Sequence, residues 1–575
     1  MQRGSYRRKT HLVLILSVLI ALVLVLTFYT SHTGDMPTFG DSLPDNTEQS
    51  DSTPRQTTAE SGAVRRQLPD KEKAIAAFPG AQGDGAASKG GRGGRVLIVE
   101  RLDDPCPSKA CTTAELADVA LTTPGTLRWA LLQDYPRTIV FRVSGIIRLQ
   151  EDRVEQVDKQ LHVRRSALIR VSHPYLTVAG QTAPAGGITI AGNGISIETH
   201  DVVLRYLRFR TGRGKQAFFE DQQNPETLMI GNGAERVMID HCSFSWMPAE
   251  GVSVYTGSSD QGDGTAKDIT LSWNMIGEGL VQHKDGRGHP NSAFMSGFDG
   301  DPRYAARNIT LHHNLLLHTQ KRNGDLLSYN GRLVNNLFYN WQWLPTVLAG
   351  GVEADLIGNL WKPGPLSELM DKQPQGIHLV PAAATVGGKE PDDWWHAVPG
   401  TPSLWLSGNA FASPEQVPPN QQDLICYYRH HEEDCQPVQP EWFRERAMPP
   451  GSYPVVAEAI DQAVPAVLKQ AGASQRINLT GQWVANRDPV DVRFVTEYQN
   501  GNYALEHFPW HEDQVGGYPQ QIDGVAYPDT DRDGMSDLWE VKQGLDPADA
   551  TDAIQPAKQG GGYTNLEVFI NGAGG

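Results

Sequence analysis

A short phrase, alternating apolar residues closed by an asparagine and a further apolar position, recurs along the middle of the chain. It reads Ile269-Thr-Leu-Ser-Trp-Asn274, Ile309-Thr-Leu-His-His-Asn314, Arg332-Leu-Val-Asn-Asn-Leu337, Asp355-Leu-Ile-Gly-Asn-Leu360 and Leu404-Trp-Leu-Ser-Gly-Asn409. The asparagines fall at 274, 314, 336, 359 and 409, so intervals of 22 and 23 stand beside 40 and 50. A period near 22 built from strand-type units predicts a solenoid, each coil burying its apolar face on the next, with insertions lengthening some coils. Parallel stacking is expected. One asparagine per coil at a fixed corner can hydrogen-bond its neighbours and the turn backbone, which gives the repeat a structural cause. Val237-Met-Ile-Asp-His-Cys-Ser-Phe244 reads as a further coil, with His241 at the asparagine position.

Outside the repeats the chain changes character. Arg3, Arg7, Arg8 and Lys9 precede an apolar run from Leu12 to Tyr29, about the ~20 residues that span a bilayer. Residues 1–30 are expected to be a signal anchor or signal peptide, with residues 12–29 as the transmembrane helix and the basic flank inside. The rest would then be exported, periplasmic or extracellular, and held at the inner membrane. Residues 31–72 are polar and Pro-containing, a disordered linker by composition. Export permits disulfides; Cys106 with Cys111 and Cys426 with Cys435 are close enough in sequence to close small loops, leaving Cys242 as an interior thiol. The domains expected beyond the linker are a β-helix over 73–420, an extended wrap over 421–520 and a calcium-binding tail over 521–575.

Charge narrows the partners. The 575 residues carry 50 Lys+Arg against 67 Asp+Glu, a net charge of −17, which disfavours nucleic acid. From Val281 to Arg322 the balance reverses, with Lys284, Arg287, Arg303, Arg307, Lys321 and Arg322 against Asp285, Asp299 and Asp301. A basic cleft in an acidic protein concentrates an anionic ligand. The tail holds the most specific motif: Asp529, Asp531, Asp533, Gly534, Asp537 and Glu540 occupy positions 1, 3, 5, 6, 9 and 12 of an EF-hand-type loop. A second loop keeps only its exit, Gly561-Gly-Tyr-Thr-Asn-Leu-Glu567, without the carboxylates.

Eight motifs in order carry a resemblance: Phe78-Pro-Gly-Ala-Gln-Gly-Asp-Gly-Ala86, Gly90-Gly-Arg-Gly-Gly94, Gly125-Thr-Leu-Arg-Trp-Ala130, Thr138-Ile-Val-Phe-Arg-Val-Ser-Gly145, Val178-Ala-Gly-Gln-Thr-Ala-Pro-Ala185, Val203-Leu-Arg-Tyr-Leu-Arg-Phe-Arg210, Ile239-Asp-His-Cys-Ser-Phe-Ser-Trp246 and His312-His-Asn-Leu315. Together with residues 488–501 they resemble exported members of the pectate lyase superfamily. The resemblance implies an all-β fold, a right-handed parallel β-helix, and cleavage of polygalacturonate or a related acidic polysaccharide by β-elimination, assisted by Ca2+. It implies Arg322 as the base, or alternatively as a carboxylate clamp, and Lys284 as the group neutralising the substrate carboxylate. Arg287, Lys321, His313 and Trp246 are expected to bind substrate, and Glu226, Glu250 and Asp221 to hold a groove calcium. Two departures stand out: Gly324 and Asp325 follow Arg322-Asn323 where the family reads proline, and Ala249 replaces one carboxylate of an acidic pair. They favour, as the other reading, a non-catalytic β-helix that binds or organises envelope polysaccharide. A monomer is expected, touching a membrane only through the N-terminal segment.

Overall fold

A computed structural model describes residues 75–572, except 107–112, 151–152, 158–159, 165–166, 214–225, 257–263, 282–290, 299–300, 369–375, 381–397 and 428–434. The expected membrane segment and linker lie outside the described residues. No helix among those described is long and apolar enough to cross a membrane.

The repeats form coils. Among the described residues each coil contributes strands to three sheets, one of ten strands running from Arg95–Val99 to Ser403–Ser407 and two of nine. Every pairing within the three is parallel; the short pairs Arg153–Val157 with Gln160–Arg164 and Gln475–Ile477 with Trp483–Ala485 are antiparallel. This is the parallel β-helix expected from the period. Its register stacks like on like: Leu204, Ile239, Leu271, Leu311, Leu333, Leu356 and Leu406 pair in one column of the first sheet. Of these, Ile239, Leu271, Leu311, Leu333 and Leu356 are fully buried, and burying each such side chain contributes about 1.5–3 kcal/mol.

The asparagine ladder is present as read. Nδ2 of Asn274, Asn314, Asn336 and Asn359 donates to Oδ1 of the next asparagine at 2.9–3.1 Å, and Asn409 continues to Gln421 at 2.9 Å. Each Nδ2 also reaches a backbone carbonyl of the preceding coil, Ile239, Leu271, Leu311, Leu333 or Leu356. The sixth position is corrected by one residue. Cys242 stands in line with Asn274, its N–H donating to Asn274 Oδ1 at 2.9 Å, and its thiol is buried and free. His241 occupies the preceding corner, where Tyr206, His241, Trp273, His313 and Asn335 all have φ between 51° and 55°. Side chains in this left-handed region are costly; here Tyr206, His241, Trp273 and His313 stack in sequence, centroids 4.8, 5.9 and 4.3 Å apart. The corner also breaks strand alternation, so Asp240 and His241 do meet, Oδ2 to Nδ1 at 2.8 Å, although adjacent strand residues would diverge.

Two sheets carry coverings supplied by distant sequence. The glycine-rich N-terminal motif lies on the first sheet, where a Cβ on Gly85 would meet the Val237 carbonyl at 2.2 Å, so only glycine permits the approach. Helices Ile460–Gln470 and Pro489–Asn500 pack Val467, Val490, Phe494 and Tyr498 on the outward row of the second sheet, Met275, Leu315, Leu337, Leu360 and Ala410. Arg210, fully buried, fixes the second helix through Asp488 at 2.7 Å and Asp491 at 2.9 Å. The tail packs Tyr527, Met535, Leu566, Phe569 and Ile570 against Ala179 and Val96. Cys426 and Cys435 are joined as expected; Cys111 lies outside the described residues.

Candidate functional site

The third sheet presents the charged residues. Three consecutive strands, Glu250–Thr256, Ser292–Phe298 and Lys321–Leu326, send Val252, Phe294 and Leu326 into the core. Their register aligns Glu250 with Ser292 and Ser292 with Lys321. Arg322 Nη1 is hydrogen-bonded to Glu250 Oε1, an ion pair whose carboxylate is nearly buried. Glu226 lies one coil back, where the Thr227 N–H donates to the Glu250 carbonyl at 3.0 Å, and its carboxylate accepts from Ser253 Oγ. The two glutamates thus sit on neighbouring coils of one sheet, each with an oxygen already held by a neighbour.

The strand carrying Arg322 is bent by a bulge. Phe294 pairs with Asn323 but Met295 pairs with Asp325, so Gly324 is the unpaired extra residue, at φ 81°. Proline, locked near −65°, cannot adopt this conformation, which gives the glycine at the family's proline position a physical cause. Past the bulge Asp325 stands in register with Met295, and its side chain is buried. Burial raises this carboxyl to about 7, opposed by the Val347 N–H and by the charges of Arg322 and Lys321. Lys321 is lowered to about 8 by burial and next by the adjacent Arg322. The sheet therefore places a guanidinium beside an amine that ionises near neutrality.

Not every expected site residue joins this cluster. Trp246 is fully buried, donating from Nε1 to Glu278 at 3.0 Å and meeting Tyr518 edge-on at 5.0 Å; no face is left for a sugar, and its substrate-binding role is withdrawn. His313 is withdrawn for the same reason. It stacks on Trp273 at the corner between the first and second sheets, and burial lowers its pKa to about 3. Lys284, Arg287 and Asp221 lie outside the described residues.

The tail gathers carboxylates. Oxygens of Asp529, Asp531 and Asp533 lie within 4.8 Å of one another, as do those of Asp533, Glu540 and Asp552. Asp537, expected as a ligand, instead accepts from Thr530 N at 2.8 Å and Thr530 Oγ1 at 2.7 Å. Asp552 was missed because it lies beyond the helix that ends the loop, where no motif spacing reaches it. Burial, reinforced by the neighbouring carboxylates, raises Asp533 to about 7 and Glu540 to about 8. Glu567, at the exit of the second, incomplete loop, binds Arg92 at 2.8 Å and caps its own helix through the Thr564 N–H.

The class is a parallel β-helix whose third sheet carries Lys321 and Arg322 beside Glu250. No family model matches the sequence. Curated relatives do. A protein of Aspergillus flavus described as a probable pectate lyase C is 28% identical over 508 residues, 87% of this chain and 94% of that one. Its counterpart in Emericella nidulans is 27% identical over 505 residues, 87% and 93% of the two chains. Among solved structures, a pectate lyase of Bacillus subtilis superposes with TM-score 0.44 and 13% identity over 70% of this chain and 98% of that chain. Over most of its length the chain is thus similar to proteins described as probable pectate lyases.

Proposed function

We propose that this chain is a calcium-assisted polysaccharide lyase that cleaves pectate or a related polyuronate by β-elimination on the outer face of its third sheet. That it is an enzyme of the pectate lyase type rests on one observation above others: the match to probable pectate lyases runs along nearly their whole length. Glu226 and Glu250 offer hard oxygen donors on adjacent coils. Calcium takes six to eight oxygens, so two carboxylates suit an ion whose shell the uronate completes. When bound, it would withdraw charge from the uronate carboxylate and acidify the C5 proton.

The chain's own groups supply the rest. Arg322 faces Glu250 in this structure, and binding of a uronate would exchange that partner for the substrate carboxylate or the C5 position. Lys321, with Lys284, stabilises the charge that builds on the carboxylate as the proton leaves. A second reading exchanges the roles of Lys321 and Arg322. Lys321, with a pKa of about 8, is unprotonated in part near neutral pH and can take the C5 proton, while Arg322 clamps the carboxylate through its planar fork. The basic flank and apolar run at the N-terminus support an exported enzyme tethered by residues 12–29.

The test is the appearance of ultraviolet-absorbing unsaturated uronate ends from pectate, alginate and glycosaminoglycans, with calcium or with chelator. Silence on all three would leave a polysaccharide-binding module instead. Arg322→Ala lowers kcat with KM changed by less than about tenfold if the arginine acts in the transition state. A matching loss of affinity makes it the clamp and leaves the base to Lys321.

A further inference from the structure

The tail cluster stands apart from the third-sheet site, and nothing argued for it depends on the lyase reading. We infer that the C-terminal segment holds one hard divalent cation of the calcium kind between Asp529, Asp531, Asp533, Glu540 and Asp552, with Asp552 taking the place that the loop motif assigns to Asp537. Glu540 carries the argument. Its side chain is fully buried, and neither of its carboxylate oxygens meets a hydrogen-bond donor. One oxygen each of Asp531, Asp533 and Asp552 is likewise buried and without a donor. These residues converge: each offers a carboxylate oxygen within 4.8 Å of its neighbours in two overlapping triplets that share Asp533.

Burying ionised carboxylates without partners is expensive, and a fold retains such groups where a cation or a network answers them. Arg142, 3.2 Å from Asp529, answers only the edge of the cluster. The donors are all oxygens, which excludes soft-metal chemistry and suits calcium, whose shell tolerates irregular geometry. Met535 stands at position 7, where such loops add a backbone carbonyl. Asp537 is unavailable because both its oxygens hold Thr530.

Recruiting Asp552 changes what the ion does. A ligand set ending at Glu540 would close only a loop and its own helix, Asp537–Gln543. Asp552 belongs to the segment beyond that helix, and its carbonyl accepts from Asn565 Nδ2 at 2.9 Å at the start of the last helix, Asn565–Asn571. The cation therefore clasps the loop, the helix after it and the approach to the terminal helix, whose Leu566, Phe569 and Ile570 pack on the coils.

The full chain, stripped with chelator, is titrated with Tb3+ excited through Tyr527 and Trp539, then competed with Ca2+. Tyr527 is suited as antenna because its hydroxyl bonds the loop's own Gly534 carbonyl at 2.8 Å. Glu540→Gln and Asp552→Asn are each expected to weaken Ca2+ by at least about tenfold, and Asp537→Asn by less than about threefold. Asp552→Asn should also remove most of the calcium-induced rise in Tm. A larger loss for Asp537→Asn than for Asp552→Asn overturns the ligand assignment. Unchanged calcium stoichiometry in Glu540→Gln, with far-ultraviolet circular dichroism confirming the fold, overturns the site itself. Neither readout uses polysaccharide, so a failure here is separate from a failure of the lyase reading.

Discussion

Replacing Asp325 by asparagine should make the protein more stable at pH 8 and leave it unchanged near pH 4. The carboxyl follows the bulge at Gly324, is buried, and has its pKa raised from 3.8 to about 7. Because the folded pKa lies above the unfolded one, the native state binds more protons between those values, and stability falls as pH rises through that window. A shift of about three units at ~1.4 kcal/mol each sets a ceiling of about 4 kcal/mol. The raised value already includes the attraction of Arg322 and Lys321, and relaxation of the site around the charge brings the expected gain to about 2–4 kcal/mol. Asparagine keeps an oxygen to accept from the Val347 N–H at 2.9 Å, so that donor retains its partner. Urea unfolding of wild type and Asp325→Asn, followed by tryptophan fluorescence at pH 4, 6 and 8, reads the difference directly, and subtraction cancels the titrating groups that Asp325 does not touch, which leaves Lys321 as the one coupled group. Parallel stability curves, or a variant weaker at pH 8, would refute the reasoning that burial dominates at this carboxyl.

Three further outcomes follow from the packing. Asn336→Ala removes four side-chain hydrogen bonds from the ladder and orphans the buried Asn314 N–H; the expected loss is about 3–5 kcal/mol in urea unfolding, and a loss under about 1 kcal/mol means the ladder is ornamental. Arg210→Ala leaves Asp488 and Asp491 facing each other in the interior and should cost about 3–5 kcal/mol, with limited proteolysis cutting first near helix Pro489–Asn500. Ala249→Asp adds a carboxylate at a position only 4% exposed; Tm should drop in chelator and recover with calcium, and a drop that calcium does not reverse excludes this position from a metal site.

The coil was legible because its period and asparagines are local signals: apolar alternation sets the strands, and an amide at every corner has a hydrogen-bonding reason to recur. The reading slipped by one at His241 because sequence spacing does not separate a ladder position from the left-handed corner before it; the difference is a dihedral angle. Trp246 looked available to a sugar because the helices and loops that bury the second sheet's outer row lie more than two hundred residues away in sequence. The bulge at Gly324 was visible only as a departure from a family pattern, and its cause needed the register of the neighbouring strand. In the tail, motif spacing found four of the five clustered carboxylates, since those four share one loop. Asp552 reaches the cluster by a turn of the chain that no spacing rule encodes.

The ladder also governs where a chain like this can grow. Neighbouring asparagines are bonded at nearly the same distance whether 22, 23, 40 or 50 residues separate them. Between Asn274 and Asn314 the added length enters on either side of strand Ser292–Phe298, and between Asn359 and Asn409 on either side of Ile377–Val380; both strands belong to the third sheet. The corner of each coil thus acts as a fixed spine, and the arc farthest along the coil from it is free to take on new sequence without disturbing the stacking. New sequence can accumulate on the sheet that carries Arg322 and Glu250, while the opposite corner keeps count of the coils.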